Sequence, residues 1–432
     1  MDSSKITLND SQVKAVKFLG DWWLSRVPFA ILHGAAGTGK TTIIKDIVSI
    51  LYKAVPLYTA PTNEACRQLE LALPEGSLIQ TTYSALGYSM DTSTENKKFS
   101  KMAESDIIKQ VNLIIVDECS MIPDKLLNDL IDIGKGGKKI LFIGHRSQLP
   151  PVEIGLTSLK DANSPVFEQE WPTVNLTKSE RASGELLTYI NHLETLIEAR
   201  HKIYKKEKWK KSKDELYEYI HTKDGRTRFK EDNAKVICFT NKEVDAWNKL
   251  IRESLHRKKD LDRFLKNDRI LVTEPVTILG EIDGFSRKAI EKALPGAIGK
   301  VETNTRMQIK SVETSKLIVH CWKIETYCGK FLYVPVNPIE FRELRTSLIN
   351  EALAMATFKA KRNAFNRFHG IMSLYANIKH SYAFTAHRSQ GMTIPEVWVN
   401  WEDIKKCNNV SLRHKLLYVA ASRAKDIMWI VE

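Results

Sequence analysis

The 432-residue chain is poor in cysteine: it has only Cys66, Cys119, Cys238, Cys321, Cys328 and Cys407, and no two of them form C-x-x-C. No His/Cys run has zinc-ligand spacing either. A disulfide scaffold and a structural zinc module are thereby excluded, and reduced thiols in a cytoplasmic setting are expected. No apolar run approaches bilayer-spanning length, and the N-terminus lacks the pattern of a secretory signal, so no membrane partner is expected. No internal repeat is visible, and the only strong composition bias is basic. Acidic residues are the scarcer charge, 52 Asp and Glu against 65 Lys and Arg, for a net charge of +13. That surplus suits a polyanion, although general solubility explains charge alone equally well. The length is too great for one core, and 43% hydrophobic content is enough for two or more packed domains.

What is there begins with "FAILHGAAGTGKTTIIKDIV", residues 29–48. An apolar strand enters a glycine-rich turn and leaves as an amphipathic helix. Gly34, Gly37, Gly39, Lys40 and Thr41 have the spacing G-x-x-x-x-G-K-[ST], the P-loop. Its glycines let consecutive N–H groups point inward at a polyphosphate, beside a helix N-terminus. Lys40 has the reach for the β- and γ-phosphates, and Thr41 has a hydroxyl for Mg²⁺.

A second acidic element follows. In "VNLIIVDECSM", an apolar run ending at Val116 delivers Asp117 and Glu118 to a strand end, where ligands of open α/β sheets bind. Asp117 there is a candidate metal residue, and Glu118 a candidate for polarising water. Past the next strand, in "KKILFIGHRSQLPPV", Gln148 is a candidate γ-phosphate contact. Gln12, on the first turns of a helix begun by Asn9 or Asp10, has an amide suited to an adenine edge. "KVICFTNKEVDAWNKLIRESL", "HSYAFTAHRSQGMTIPEVWV" and "KLLYVAASRAKDIMWIV" read as a second α/β domain without a glycine grip. The last of these puts Ser422 and Arg423 in a helix before a final strand. Two such domains suggest a cleft site completed by an arginine from the facing domain. Arg423 and Arg181 are the candidates, each weighed against an ordinary surface ion pair.

Taken in order, "LNDSQ", "GAAGTGKTT", "TAPTNEACRQL", "TTYSAL", "IIVDECSM", "GHRSQLPPV", "LTKSER", "CFTNKEVDAWN", "TAHRSQGMT" and "YVAASRAK" resemble the superfamily 1 helicases, in their RecD-like branch. The resemblance runs from about residue 8 to 425. It implies an α/β protein with two RecA-like P-loop NTPase-type domains, a small Src-homology-3-like β-barrel insertion and a small pin insertion. The boundaries expected are 1–178 for the first motor domain, with the pin at about 88–110; 179–265 and 378–432 for the second; and 266–377 for the inserted barrel and its helical extension.

The resemblance implies an ATP hydrolase and DNA helicase moving 5′ to 3′ on single-stranded DNA and unwinding duplex. An ATP-gated binding or remodelling protein, acting on RNA or protein–DNA complexes without processive unwinding, is the alternative. ATP and Mg²⁺ are the implied cofactors. Single-stranded and duplex or forked DNA are the implied partners, with single-strand-binding, replication or recombination proteins as further ones, and a monomer is expected. Gln12 would read adenine, and Gly34, Ala35, Ala36, Gly37, Thr38, Gly39, Lys40, Thr41, Thr42 and Gly391 would line the nucleotide. Thr41 and Asp117 would hold Mg²⁺. Lys40, Glu118, Gln148, Arg181 and Arg423 would carry the chemistry, with Glu118 the base. Pro61, Thr62, Asn63, Thr82, Tyr83, Thr240, Asn241, Thr385, His387 and Gln390 would line the DNA path.

One departure concerns "GDxxQ", the family's usual form, where this chain has His145. The carboxylate's contacts are therefore lost or replaced. Tyr88 or Phe99 in the insertion is a candidate wedge, and the basic run "RHKIYKKEKWKK" a candidate phosphate track or a solvated face. Residues 269–338 carry short β-like runs. A long amphipathic helical stretch is expected over about 340–379, with Phe358, Phe365 and Phe368 in its core.

Overall fold

A computed structural model describes residues 8–35, 37–91, 98–101, 106–151, 164–178, 184–198, 209–279 and 286–432. Ala36, Arg181 and residues 200–208 of the basic run lie outside the described residues. The chain divides into two compact units: Met1–Tyr88, Lys101–Val244 and Ala383–Glu432 form one; Ser89–Ser100 and Asp245–Tyr382 form the other.

Eight strands come first: β1 (Phe29–Gly34), β2 (Pro56–Ala60), β3 (Ile79–Thr81), β4 (Tyr88–Asp91), β5 (Lys98–Lys101), β6 (Leu113–Val116), β7 (Lys139–Gly144) and β8 (Thr173–Leu176). Six of them pair in parallel, in the order β3-β2-β6-β7-β1-β8. Parallel strands are covered on both faces, so they read as unbroken apolar runs. In β6, Leu113, Ile114, Ile115 and Val116 are all buried. One face packs under Ile43, Ile44 and Ile47 of the P-loop helix Lys40–Ile50, the other under Leu126, Leu127 and Leu130 of helix Asp124–Lys135. The order leaves β1 and β6 separated only by β7, so the glycine turn and the Asp117–Glu118 turn emerge from the same carboxyl edge.

β4 and β5 form a two-stranded ribbon where a pin is expected. Tyr88 is buried at its base, with its hydroxyl donating to Asp129 at 2.7 Å, so this ring is an anchor and not an exposed wedge. For Phe99 only the backbone is described.

Next come β9 (Lys210–Lys211) and β10 (Ala234–Cys238), followed by β11 (Arg269–Val272), β12 (Val276–Ile278), β13 (Gly299–Val301), β14 (Arg306–Lys316), β15 (His320–Thr326), β16 (Phe331–Pro335) and β17 (Ile378–His380) of the second unit. The last three strands are β18 (Ala383–Thr385), β19 (Ile394–Asn400) and β20 (Ala424–Val431). A second parallel sheet has the order β18-β10-β19-β20-β9. Ser422 caps helix Val410–Ala421 and Arg423 follows it, so both stand just past the helix expected to contain them.

The second unit holds a five-stranded sheet, β16-β15-β14-β11-β17, whose pairings are antiparallel, and the ribbon β12-β13. The single helix expected over 340–379 is two, Pro338–Leu353 and Phe358–Met372, with Thr357 capping the second. Residues 378–380 are strand β17, paired to β11. Phe365 and Phe368 are core, but Phe358 is 80% exposed because it starts a helix at its solvent edge. Asp268 is the polar centre of this unit. Fully buried, it accepts from Arg252 Nε and Nη2 at 3.1 and 2.7 Å and from the Leu265 N–H at 2.9 Å, with His256 at 2.9 Å. Burial alone would raise its carboxyl, but hydrogen bonds from His380 and Arg252 and the Arg252 charge outweigh it and hold the group well below the usual carboxylate range.

Among the described residues no helix is long and apolar enough to cross a membrane, and all six cysteines are free, five of them buried.

Candidate active site

Gly37 and Gly39 adopt φ of 81° and 78°, in the left-handed region that glycine enters without strain. At Gly39 a side chain is barred twice, since a Cβ would also stand 2.7 Å from Gln12 Nε2. The Lys40 ammonium is held within the loop, donating to the carbonyls of Gly34 at 2.7 Å and Ala35 at 2.9 Å.

The acidic turn is tied to the same edge. The Asp117 N–H donates to Thr59 O at 2.8 Å, extending the β2–β6 ladder. Asp117 Oδ2 accepts from Thr41 Oγ1 at 3.3 Å, and Oδ1 from the Glu118 N–H at 2.8 Å. Burial and the Glu118 charge push the Asp117 carboxyl up to about 6, against the pull of that N–H, Lys40 and Thr41. A buried acid raised by its neighbour's charge and facing a threonine hydroxyl fits a divalent cation, whose charge would relieve the repulsion. Among the described residues no cluster of three or more His, Cys, Asp or Glu could hold a metal by itself. This suits an ion such as Mg²⁺, which keeps waters and takes substrate phosphate oxygens.

Glu118 has φ 50°, uncommon for a residue with a side chain, and the strain sits where its carboxylate leaves the strand. Gln148 Nε2 donates to Glu118 Oε2 at 2.7 Å, and Gln390 Nε2, from the second sheet, approaches the same oxygen at 3.4 Å. The amide oxygens of both glutamines are buried without a partner among the described residues. The resemblance implies a place on the DNA path for Gln390 with its neighbours, yet it is 8% exposed and turned to Glu118.

Lys40, Thr41, Asp117, Glu118, Gln148 and Arg423 line one cavity of about 360 Å³. Gly37, Gly39, Thr42 and Gly391 are also on its wall. Arg423 is 1% exposed and is held from its own lobe, donating to Val419 O at 3.0 Å and Ser422 Oγ at 2.9 Å. Ala65, Gln68, Ala72 and Thr393 line the cavity too, and no motif reading named them. The first three share one face of helix Asn63–Ala72, at helical spacing, so the signal was present.

Gly34, Ala35, Thr38 and Gln12 do not line that cavity. Asn9 and Gln12 form a capping box: Gln12 Oε1 accepts from the Asn9 N–H at 2.9 Å. Gln12 Nε2 donates to Thr38 O at 3.3 Å. Both ends of the amide are thus engaged by the protein, and the sequence N-x-x-Q carried that capping signal.

The remaining candidates sit at the carboxyl ends of the edge strands β3 and β18 and of their neighbours β2 and β10: Pro61, Thr62 and Asn63 after β2, Thr82 and Tyr83 after β3, Thr240 and Asn241 after β10, Thr385 at the end of β18 and His387 after it. Thr62 and Thr385 are helix N-caps, and Thr240 Oγ1 accepts from the Glu243 N–H. Helix N-termini at strand ends favour anions. Thr82 is fully buried. Burial pushes the His387 imidazole down from its ordinary value. Asp403, unremarked in the sequence, is fully buried and accepts from the Phe239 and Thr240 N–H groups at 2.8 and 2.7 Å and from Thr240 Oγ1 at 2.9 Å. No local pattern in "NWEDIKK" announces that role.

A P-loop on one parallel sheet, facing an arginine and a glutamine from a second, defines a two-lobed P-loop NTPase. Residues 24–153 match the family model of an AAA domain, and residues 380–431 that of the UvrD-like helicase C-terminal domain. The chain is 26% identical over 440 residues to the ATP-dependent DNA helicase dda of Enterobacteria phage T4, covering 92% of this chain and 93% of that protein. Over 158 residues it is 34% identical to the ATP-dependent RecD2 DNA helicase of Deinococcus radiodurans, covering 36% and 20%. The Pif1 helicase from Bacteroides, solved with ADP-AlF3 and ssDNA, shares the fold, with a TM-score of 0.53, 16% identity, and 99% and 92% of the two chains covered. Both family models and these relatives support a superfamily 1 helicase of the RecD/Pif1-like group, related to the phage Dda enzyme.

Proposed function

We propose that the protein is an ATP-driven motor that moves 5′ to 3′ along single-stranded DNA and separates duplex DNA. The observation that carries this reading is the split of the nucleotide site between two sheets. Lys40, Asp117, Glu118 and Gln148 come from one; Gln390, Gly391 and Arg423 come from the other. Triphosphate held by the first lobe is stabilised by the second only when the lobes approach, so binding and hydrolysis drive closing and opening.

In this reading the loop N–H groups and Lys40 hold the phosphates. Thr41 and Asp117 hold Mg²⁺, which supplies charge neutralisation at the phosphates when bound. Glu118 takes the proton of the attacking water. Gln148 keeps the Glu118 carboxylate oriented and meets the γ-phosphate. Arg423 stabilises charge developing there, with Arg181 a second cation for the same role. Gln12 braces the loop from behind through Thr38, and adenine recognition by its amide would require that brace to open.

Pro61, Thr62, Asn63, Tyr83, Thr240, Asn241, Thr385 and His387 are proposed to track the strand by phosphate contact and stacking, which tolerate any sequence. The ribbon β4–β5 suits a pin, and the antiparallel sheet of the second unit suits a Src-homology-3-like insertion in the chain of the second motor domain. Each opened base-pair step costs on average about 1.4 kcal/mol, a modest load for a short step per ATP. The surplus of 13 positive charges favours a DNA partner. Against the rival reading, an ATP-gated binder impaired by His145, stands the seating of Gln148 on Glu118 with His145 present.

The test is ATP turnover with and without single-stranded DNA, followed by displacement of duplexes bearing 5′ or 3′ tails. Stimulation by DNA and displacement from 5′ tails are expected. Turnover indifferent to DNA refutes the motor, and displacement from 3′ tails alone refutes the direction.

A further inference from the structure

Resting on the ATPase reading above, we propose that His145 and Glu194 form a positioning pair: the second lobe, through Glu194, fixes the turn that holds Gln148 on Glu118. The turn after β7 is where this chain departs from the family's aspartate, and the structure reveals what the histidine meets. His145 is fully buried. Its Nε2 lies 2.7 Å from Glu194 Oε1, on helix Gly184–Glu198, which packs against helix Val410–Ala421 and β20 of the second lobe. Its Nδ1 accepts from the Ser147 N–H at 3.3 Å. That bond leaves Nε2 to carry a proton, so the imidazole donates to the Glu194 carboxylate.

The ring is also clamped between aromatic faces. His33 of β1 stacks on it with centroids 4.6 Å apart, and Tyr418 of helix Val410–Ala421 stacks at 5.7 Å. The same helix sends Lys415 Nζ to Arg146 O at 3.0 Å. Three side chains of the second lobe thus grip two consecutive residues of the first. The grip reaches the chemistry through one backbone bond: the Gln148 N–H donates to His145 O at 3.2 Å, and the Gln148 side chain donates to Glu118. An aspartate at 145 would set two carboxylates against each other with no proton between them, so Glu194 makes sense only beside the histidine.

The experiment measures DNA-stimulated kcat and the KM for ATP. Glu194→Ala is expected to lower kcat about tenfold with KM nearly unchanged, since the lost bond is to a charged acceptor remote from ATP. Glu194→Gln, which keeps an acceptor facing Nε2, restores most of that loss. His145→Asp falls at least as far as Glu194→Ala, and adding Glu194→Gln to it recovers turnover, because the amide donates to the new carboxylate. Glu194 is partly exposed, so its truncation leaves the fold intact, as a thermal melt would verify. Wild-type kcat in Glu194→Ala overturns the pairing, and so does a double variant no faster than His145→Asp. A wild type that DNA does not stimulate overturns the parent reading and the pairing together, whereas a stimulated wild type with indifferent variants overturns the pairing alone.

Discussion

Replacing Glu118 by glutamine separates chemistry from architecture with unusual clarity at this site. The carboxylate Oε2 accepts from Gln148 at 2.7 Å and lies 3.4 Å from Gln390, while the amide oxygens of both glutamines are buried with no partner among the described residues. A glutamine at 118 keeps an acceptor for one neighbour and offers its own N–H to an oxygen that lacks a donor. A charge-assisted hydrogen bond contributes about 1.5–3 kcal/mol, and a buried orphan costs about 1–3 kcal/mol, so the exchange is close to neutral. Removing the charge also ends its repulsion of Asp117, which it helps to push up to about 6. The variant is therefore expected to melt within a few degrees of the wild type and to bind ATP. Turnover has no such compensation: loss of a general base lowers it about 10²–10⁴-fold, or roughly 3–5 kcal/mol in the barrier. Single-turnover hydrolysis at saturating single-stranded DNA, a fluorescent-nucleotide titration and a melt of the same sample decide it. Turnover within a few-fold of wild type refutes Glu118 as the base. A melt lowered by ten degrees with ATP binding lost refutes the hydrogen-bond argument.

Asp268→Ala should destabilise the second unit by about 3–5 kcal/mol, because it strands the buried Arg252 guanidinium, and a lowered or newly separate transition in a calorimetric scan would report it. His33 provides a pH test. Burial, then His145 and Lys40, lower its imidazole to about 4, below the ordinary 6.5 of an unfolded chain. The unfolded state then binds the proton more readily, so this stabilisation is complete above pH 6.5 and is lost as pH falls toward 4, by at most about 3 kcal/mol. His33→Gln should flatten that part of the melting-temperature profile relative to wild type; an unchanged slope refutes the assignment.

The amino-acid sequence by itself determined the elements whose physics is local. A glycine-rich turn between an apolar run and an amphipathic helix curls its own N–H groups around phosphate, wherever the rest of the chain goes. An unbroken apolar run such as 113–116 must be a covered parallel strand, and it leaves Asp117 and Glu118 at a strand end. Even the N-x-x-Q capping box at Asn9 and Gln12 was there to be read, although the motif resemblance directed attention to adenine. The break near residue 354 was harder to see, because Phe358 continues the helical spacing of Phe365 and Phe368 while starting a new helix.

Only the tertiary structure decided which distant polar groups share one desolvated space. Gln390 reaches Glu118 across 272 residues, Asp403 supports Thr240 across 163, and Glu194 meets His145 across 49. A hydrogen bond depends on a few tenths of an ångström and on exclusion of water, and neither is written in residue spacing. The order of strands in each sheet, and the approach of one sheet's strand ends to the other's, set those distances. For that reason His145 read in isolation as a lost carboxylate, and in the folded chain stands as the hydrogen-bond donor that Glu194 requires.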